Sequence, residues 1–253
     1  MSAAERTVAV VEFDVANRNP GEHPSGRALV AAATRQGFDR VVVHARATAD
    51  GWAVVHPHAS VRMKDNADRP LADLTLAEAL RARCADGRLV SLEDTMLEAR
   101  RRKIGLVIRI HDTLVTEALA GALGIMAGDG RKNDAHSELR SRFLVVVPDA
   151  RIGKRLRTDS RPLPSGRSLP HIGGGWRGAL VRRLPNFARA AADADDLVIH
   201  ATLASPARVR EKLVPHLAKR GAYVWIEGVT PETRADYEDV GAGGLLIETP
   251  YAD

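Results

Sequence analysis

Short apolar segments alternate along the chain with segments of helical periodicity. The apolar segments have the length of strands, and because they lack polar–apolar alternation, both of their faces are expected to be buried, as in a parallel sheet. Strands that alternate with helices predict an α/β protein, either a (β/α)8 barrel or an open doubly wound sheet. The seven predicted strands are 7–13, 40–45, 105–110, 143–148, 196–201, 222–228 and 244–249.

The barrel is the preferred of these two folds. No Gly-x-Gly-x-x-Gly or phosphate-loop segment follows the first predicted strand, which disfavours a nucleotide-binding open sheet. A chain of 253 residues has the usual size of one barrel, so we expect a single domain over 1–253. The eighth strand must then lie between the fourth and fifth, and we place it at Leu169–Ile172. The surrounding stretch 150–178, rich in Gly, Pro and basic residues, is expected to be a long loop.

Capping residues predict where several helices begin. Ser91 opens the segment SLEDTMLEARRRK with a capping-box pattern. Ser205 and Thr230, each followed by a proline, are expected to start two later helices. Pro215 is expected to kink or end the helix that follows Ser205, because proline has no backbone N–H.

The charge of the chain favours an anionic ligand. The net charge is +5, and nine Lys/Arg residues with one acid lie between Arg151 and Arg183, a distribution that attracts anions. Nucleic acid is not expected, since this stretch offers one aromatic residue, Trp176, for base stacking. No apolar stretch is long enough to span a membrane. A single cysteine, Cys84, and the lack of a signal-peptide pattern predict a cytoplasmic protein.

Several segments of the chain resemble the glycerophosphodiester phosphodiesterase family, and they occur in the family's order. The resemblance implies a (β/α)8 TIM barrel with a small excursion after the second strand, which begins at the hairpin 38–58. The segments are FDRVVVHARATADGWAVVHPH (38–58), DRPLADLTLAEAL (68–80), LVSLEDTMLEA (89–99), AYVWIEGVTPE (222–232) and GAGGLLIETP (241–250).

The resemblance also implies a metal site, which this chain does not retain. The family binds a divalent cation with three carboxylates from its second and third strands, and the matching positions here are Val42, His44 and Arg109. Hard cations such as Mg²⁺ and Ca²⁺ need carboxylate oxygens, so no metal and no cofactor are expected. The family's third-strand lysine is matched by His111, and its hairpin acid–base histidine is retained as His56.

Two further positions of the family pattern are replaced. The first catalytic histidine of the family falls near Val15, where Asp14, Asn17 and His23 are the neighbouring polar residues. The acid near the end of the family's last strand is matched by Glu248.

The predicted site lies at the carboxyl ends of strands, where barrels carry their functional residues. We predict His56, His44 and His111 as catalytic residues, since histidine gives or takes a proton near neutral pH. Arginine binds oxyanions in bidentate fashion, which assigns Arg109 to the substrate. The full set of predicted substrate-binding residues is Arg109, His200, Trp225, Glu248 and Asp14.

The sequence therefore predicts a diverged phosphodiesterase-like hydrolase, or a related lyase, that acts on a phosphorylated or otherwise anionic small molecule by metal-independent histidine chemistry. One alternative is a non-catalytic protein that binds an anionic ligand or a partner protein. Another is a metal-dependent phosphodiesterase whose site is rebuilt from Glu12, Asp14 and Glu22. The sequence leaves open the substrate and the oligomeric state, and it is compatible with a homo-oligomer.

A softer metal, Zn²⁺ or Fe²⁺, is a further alternative because imidazole nitrogen suits these ions. The residues that would supply such a site are His44, His111, His200 and Glu248. Three histidines are expected outside any site, with His58 and His216 on the surface and His136 solvated in a polar loop.

Overall fold

A computed structural model describes residues 7–14, 18–19, 21–111, 115, 119, 141–147, 165–168 and 196–251. The chain divides into two compact units. The first unit comprises Met1–Glu12 with Val145–Thr249, and the second unit comprises Phe13–Leu144 with Pro250–Asp253.

Strands and helices alternate along the described residues, as the sequence predicts. The strands are β1 (Val8–Asp14), β2 (Arg40–Ala47), β3 (Ala53–Val55), β4 (Ser60–Arg62), β5 (Asp68–Pro70), β6 (Arg83–Cys84), β7 (Gly87–Arg88), β8 (Gly105–Ile110), β9 (Phe143–Val147), β10 (Ser165–Ser168), β11 (Asp196–His200), β12 (Val224–Val229) and β13 (Gly244–Pro250). The α-helices are α1 (Gly26–Arg35), α2 (Leu76–Ala79), α3 (Leu92–Arg102), α4 (Pro206–Arg208), α5 (Val214–Ala218) and α6 (Arg234–Glu238). All seven predicted strands are present within two residues of their predicted ends.

The second unit is built on the parallel pair β2 and β8. Their residues pair in register, and nearly all of them are buried, which explains why both segments are apolar throughout. β3 returns antiparallel to β2 through a turn in which Gly51 has a φ of +80°, a conformation that glycine adopts without strain. Helices α1 and α3 start at Ser25 and Ser91, whose side chains accept from backbone N–H groups of the first turn.

An insert, residues 56–90, follows the β2–β3 hairpin in this unit. It contains the two-stranded sheets β4–β5 and β6–β7 and the short helix α2, which Thr75 and Glu78 close with a reciprocal capping box. The insert matches the excursion that the family resemblance implies. Its side chains enclose a small core with Val54 of β3, and the core residues from the insert are Val61, Met63, Leu71, Leu74, Ala79, Ala82, Cys84 and Leu89.

The first unit carries the parallel strands that follow Val145. β10 pairs with β9 and β11, β11 pairs with β12, and β12 pairs with β13. The register between β12 and β13 shifts between Ile226 and Val229, where Gly228 has a φ of +70°. This irregularity is a bulge at the carboxyl end of β12.

The structure corrects the position of the eighth strand. The strand lies at Ser165–Ser168, between β9 and β11, whereas Leu169–Ile172 lies outside the described residues, as does the rest of the predicted loop 150–178 apart from 165–168. The sequence Ser-Gly-Arg-Ser has no hydrophobic pattern. It forms a strand because its backbone pairs on both sides, and the small residues Ser165 and Gly166 fit a buried position.

Two helix predictions are also corrected. Of the two outcomes expected at Pro215, an end of the helix is wrong, since the helix continues to Ala218. A π-helical turn at Val209–Leu213 precedes the proline and accommodates its missing backbone N–H. The last helix begins later than Thr230 predicts: residues 231–233 form a turn, and α6 starts at Arg234. In the part of the chain that the structure describes, every helix is too short or too polar to span a bilayer.

Candidate functional site

A hydrogen-bonded imidazole pair lies at the carboxyl ends of β2 and β8. His44 is paired with Arg109 in the strand register, and His111 follows two residues after Arg109, so the three side chains lie on one face. The Nδ1 atom of His44 is 2.9 Å from Nε2 of His111. The two rings are stacked, with centroids 5.2 Å apart and planes inclined by 15°. Three of the predicted site residues are therefore brought together.

The environment of this pair keeps His44 neutral. Burial, followed by the neighbouring His111, Arg109 and Arg46, lowers the pKa of His44 to about 3. At neutral pH the ring thus carries no charge. In a hydrogen bond between two imidazoles one nitrogen donates and the other accepts, so this contact couples the tautomers of the two rings.

His56 lies next to this pair at the end of β3. Its backbone N–H donates to the carbonyl oxygen of His44 at 2.8 Å, which ties the hairpin ends together. The Nδ1 atom of His56 lies 3.2 Å from the carbonyl oxygen of His58 and 3.3 Å from its backbone nitrogen. The side chain is 1% exposed, so the backbone of His58 fixes the orientation of a buried ring.

His56 belongs to a cluster of three histidines, His23, His56 and His58, which we call the imidazole cluster. The ring centroid of His23 is 5.0 Å from that of His56 and 4.6 Å from that of His58, and the last two are 5.7 Å apart. Neither ring nitrogen of His23 has a hydrogen-bond partner among the described residues. Burial, with smaller contributions from His56 and His58, lowers the pKa of His23 to about 3.

The imidazole cluster is bordered by Arg18 and Tyr251. The carbonyl oxygen of Arg18 lies 3.0 Å from Nε2 of His58, and its guanidinium donates to the carbonyl oxygen of Tyr251 at 2.8 Å. The guanidinium also lies over the Tyr251 ring, 5.3 Å from its centroid, in a cation–π contact. Phe13 packs edge-on against the same ring. Arg18 thus connects the imidazole cluster to the packed rings of Tyr251 and Phe13.

The side chains at the three positions that match the family's metal ligands do not fit a hard divalent cation. At the three positions that match the family's carboxylates, Val42 offers no donor, His44 is hydrogen-bonded to His111, and Arg109 carries a positive charge. Such an ion prefers several oxygen ligands and is repelled by a guanidinium. Within the described residues, no group of three or more His, Cys, Asp or Glu side chains is arranged to hold a metal ion.

The first unit carries three of the predicted substrate-binding residues, of which His200 lies at the carboxyl end of β11. Its Nδ1 atom is 2.9 Å from the hydroxyl of Thr202 and accepts from the backbone N–H of Thr202 at 3.3 Å. A side chain on Gly228 would overlap the ring, since a Cβ there would lie 2.2 Å from Nε2 of His200. Glu227 pairs with His200 in the strand register and accepts from the Ser168 hydroxyl at 3.3 Å.

Trp225 is buried in this unit and packs between strands. Its Nε1 donates to the carboxylate of Asp196 at 3.0 Å, and the ring lies against Gly244, where a Cβ would be 2.3 Å from Cζ3. Asp196 and Gly244 are the first residues of β11 and β13, so the indole reaches the amino ends of the strands. Barrel enzymes carry their functional residues at the other end, and we therefore leave Trp225 out of the candidate site.

The remaining predicted residues are not joined to the imidazoles described above in the part of the chain that the structure describes. Asp14 is exposed at the end of β1, and Glu248 is exposed near the end of β13. Glu22 is exposed and accepts from the side-chain amide of Asn19. His136 lies outside the described residues, and His216 is partly buried on α5.

The structure adds residues that the sequence reasoning missed or misplaced. His58 was predicted on the surface, but it is partly buried in the imidazole cluster. His23, Arg18 and Tyr251 were not predicted as site residues. A signal was available for His23, since it precedes the helix cap Ser25 and follows β1, in the type of loop that carries function in barrels.

Comparison with known proteins supports the fold. No family model matches the sequence, and no curated protein is significantly similar to it. Similar solved structures include the glycerophosphodiester phosphodiesterase of Thermotoga maritima, with 12% identity, a TM-score of 0.66 and coverage of 97% of this chain and 96% of that chain. The corresponding enzyme of Agrobacterium tumefaciens has 13% identity, a TM-score of 0.65 and coverages of 95% and 96%.

A third similar structure is a phosphodiesterase of Oleispira antarctica in complex with the product sn-glycerol-3-phosphate. It has 13% identity, a TM-score of 0.66 and coverages of 96% of this chain and 93% of that chain. Since these likenesses extend over nearly the whole chain, the protein has the (β/α)8 barrel fold of glycerophosphodiester phosphodiesterases. The predicted fold class and the resemblance in fold are confirmed.

Proposed function

We propose that this protein is a metal-independent phosphodiesterase-type enzyme that acts on a phosphorylated or otherwise anionic small molecule. The observation that carries the proposal is the His44–His111 pair beside Arg109. By the resemblance, His44 and Arg109 match carboxylates that bind the metal in the family, and His111 matches the family's third-strand lysine. The barrel fold and the phosphorylated product bound by the similar Oleispira antarctica enzyme support the same substrate class.

The proposed chemistry needs a base and an acid on the two sides of the phosphorus atom. When an oxygen nucleophile attacks the phosphorus atom, a base must remove its proton as the new P–O bond forms, and an acid must protonate the leaving oxygen as the old P–O bond breaks. His44, which is uncharged at neutral pH and hydrogen-bonded to His111, supplies the base. His56, at the position of the family's hairpin acid–base histidine, supplies the acid.

Cationic side chains replace the charge that a metal would provide. Arg109 lies next to His44 in the strand register, and Arg46 is tied to the insert because its guanidinium donates to the carbonyl oxygen of Pro57 at 2.7 Å. Guanidinium groups that are fixed before the reaction stabilise the negative charge that develops on phosphate oxygens. This arrangement favours an anionic substrate and disfavours a cationic one.

A direct test is hydrolysis of bis-p-nitrophenyl phosphate and of glycerophosphodiesters, with EDTA, Mg²⁺ or Ca²⁺ added. We expect turnover that EDTA does not reduce, and a loss of about 10²- to 10⁴-fold in His56→Gln with an unchanged melting temperature. His216→Gln, the same substitution on α5, is the control and should keep wild-type turnover. Turnover that requires Mg²⁺ or Ca²⁺ would contradict the proposal. No turnover together with thermal stabilisation by phosphate compounds would favour the binding protein instead.

A further inference from the structure

The backbone beside His23 is held by the tip of the insert. The tip is the two-residue loop of the β6–β7 hairpin, Ala85 and Asp86. The backbone N–H of Ala85 donates to the carbonyl oxygen of His23 at 2.7 Å. The Asp86 carboxylate accepts from the backbone N–H of Ser25 at 2.6 Å and from the Ser25 hydroxyl. Three hydrogen bonds therefore join this tip to the segment His23–Ser25.

The tip itself is a well-defined structure. Cys84 and Gly87 pair across the hairpin, and Gly87 has a φ of +126°, which favours glycine. Cys84 is buried in the small core of the insert, so the residue next to Ala85 is anchored. Because the turn is fixed by the core of the insert, it holds the segment to which it is hydrogen-bonded in a defined position.

The insert contacts His23 a second time through the ring. His56 and His58 lie where the insert begins, and both rings touch the His23 ring. Ala85 and Asp86 lie near its end and bind the backbone of the same residue and of Ser25. The insert therefore closes around the segment His23–Ser25 from both of its ends, and His23 is 0% exposed as a result.

We propose that Asp86 is a positioning residue, which holds His23 against His56 and His58 and thereby fixes the geometry of the imidazole cluster. The carboxylate does not touch the rings. It acts through the backbone and the hydroxyl of Ser25, which also caps α1. This proposal concerns the placement of the rings and does not depend on whether the protein hydrolyses phosphodiesters. The test therefore measures the exposure of the His23 side chain directly.

The test is carbethoxylation of histidines by diethyl pyrocarbonate, with each site quantified by mass spectrometry of peptides under conditions where every variant is fully folded. In the wild type, buried His23 should react slowly. In Asp86→Ala we expect His23 to react at least ten times faster, because the segment His23–Ser25 is released. The partly buried His216 serves as an internal reference in each digest.

Asp65→Ala is the matched control. Asp65 is also an exposed carboxylate of the insert that accepts from a backbone N–H, that of Ala67, and from an arginine, Arg69, but it does not contact the segment His23–Ser25 in the described structure. A similar fall in melting temperature without faster modification of His23 is expected for this variant. Equal His23 rates in Asp86→Ala and Asp65→Ala would overturn the proposal.

Two milder variants keep the test decisive if Asp86→Ala does not fold. Asp86→Asn retains one acceptor oxygen for the backbone N–H of Ser25, and Ser25→Ala removes only the hydroxyl donor. Both should expose His23 to an intermediate degree, with a rate between those of the wild type and a peptide containing His23. A wild-type rate in both variants would show that the tip of the insert does not position the ring.

Discussion

In the first unit, the buried carboxylate of Asp196 accepts from the backbone N–H of Tyr223 and from the indole of Trp225, each at 3.0 Å. In the second unit, the buried imidazoles of His23 and His56 lie against each other, and both ring nitrogens of His23 lack a partner among the described residues. Both units thus bury polar groups, but among these examples the Asp196 carboxylate has two specific donors, whereas the His23 ring has none in the part of the chain that the structure describes.

The difference distinguishes a buried group that stabilises the fold from one that is able to take part in proton transfer. A buried acceptor with two good donors stabilises the fold and has no reason to change its protonation state. A buried base that is kept neutral by its surroundings costs folding free energy, yet it is able to take up a proton when a substrate changes that environment. Three experiments test these descriptions of the buried groups, and each has an outcome that would contradict one of them.

The largest expected effect is on Asp196. Asp196→Ala leaves the indole N–H of Trp225 and the backbone N–H of Tyr223 buried without an acceptor, which should lower the free energy of unfolding by about 2–4 kcal/mol. Urea denaturation measures this loss. Asp196→Asn retains one acceptor oxygen and should lose less. A loss below about 1 kcal/mol in Asp196→Ala would show that the buried carboxylate is not a stabilising element of the first unit.

An intermediate effect is expected at Gly228. Gly221→Ala is the matched control, since Gly221 and Gly228 have φ angles of +69° and +70°, but only at Gly228 would a Cβ meet the ring of His200. The control should lose about 1 kcal/mol from backbone strain. Gly228→Ala should lose a further ~1–3 kcal/mol from overpacking and shift the imidazole NMR signals of His200. Equal losses and unshifted signals in the two variants would contradict this placement of the ring.

The smallest expected effect, counted per pH unit, is the loss of unfolding free energy in acid. The pKa values of His23 and His44 are lowered to about 3 in the folded protein, so the folded state binds fewer protons than the unfolded state below about pH 6.5. The free energy of unfolding should therefore be highest above that pH and should fall as the pH drops toward 3. The slope should approach about 1.4 kcal/mol per pH unit for each group. Urea denaturation between pH 7 and pH 4 should show a shallower pH dependence in His23→Gln and in His44→Gln than in the wild type. Identical slopes in all three proteins would indicate that neither ring is held neutral.

Much of the fold could be predicted because buried parallel strands leave a direct pattern in the sequence. The segments of β2, β8 and β11 are apolar on both faces, and this pattern does not depend on distant residues. β10 left no such pattern because its four residues are held by the backbones of β9 and β11. The continuation of the helix past Pro215 was also invisible, since it depends on a π-helical turn that no residue type specifies.

The candidate site could be predicted in part for a similar reason. His44, Arg109 and His111 were grouped correctly because strand register follows from alternating positions on adjacent strands. His23 and His58 were missed because their neighbours come from other parts of the chain: the insert folds the backbone of Ala85 onto His23, and the loop at Arg18 meets His58. The hydrogen bond from the Trp225 indole to Asp196, at the amino end of β11, likewise joins separate segments and is not contained in a strand pattern.

The position of Cys84 has a practical consequence for labelling. Burial, with a smaller contribution from Asp86, raises the pKa of its thiol to about 12, so almost no thiolate is present at neutral pH, and maleimides react with thiolate. A cysteine introduced at an exposed position, such as Trp52 on the β2–β3 turn or Leu97 on α3, should therefore accept a fluorophore selectively while the native thiol stays unmodified. The natural sequence thus serves as a background for single-site fluorescence without removal of its own cysteine.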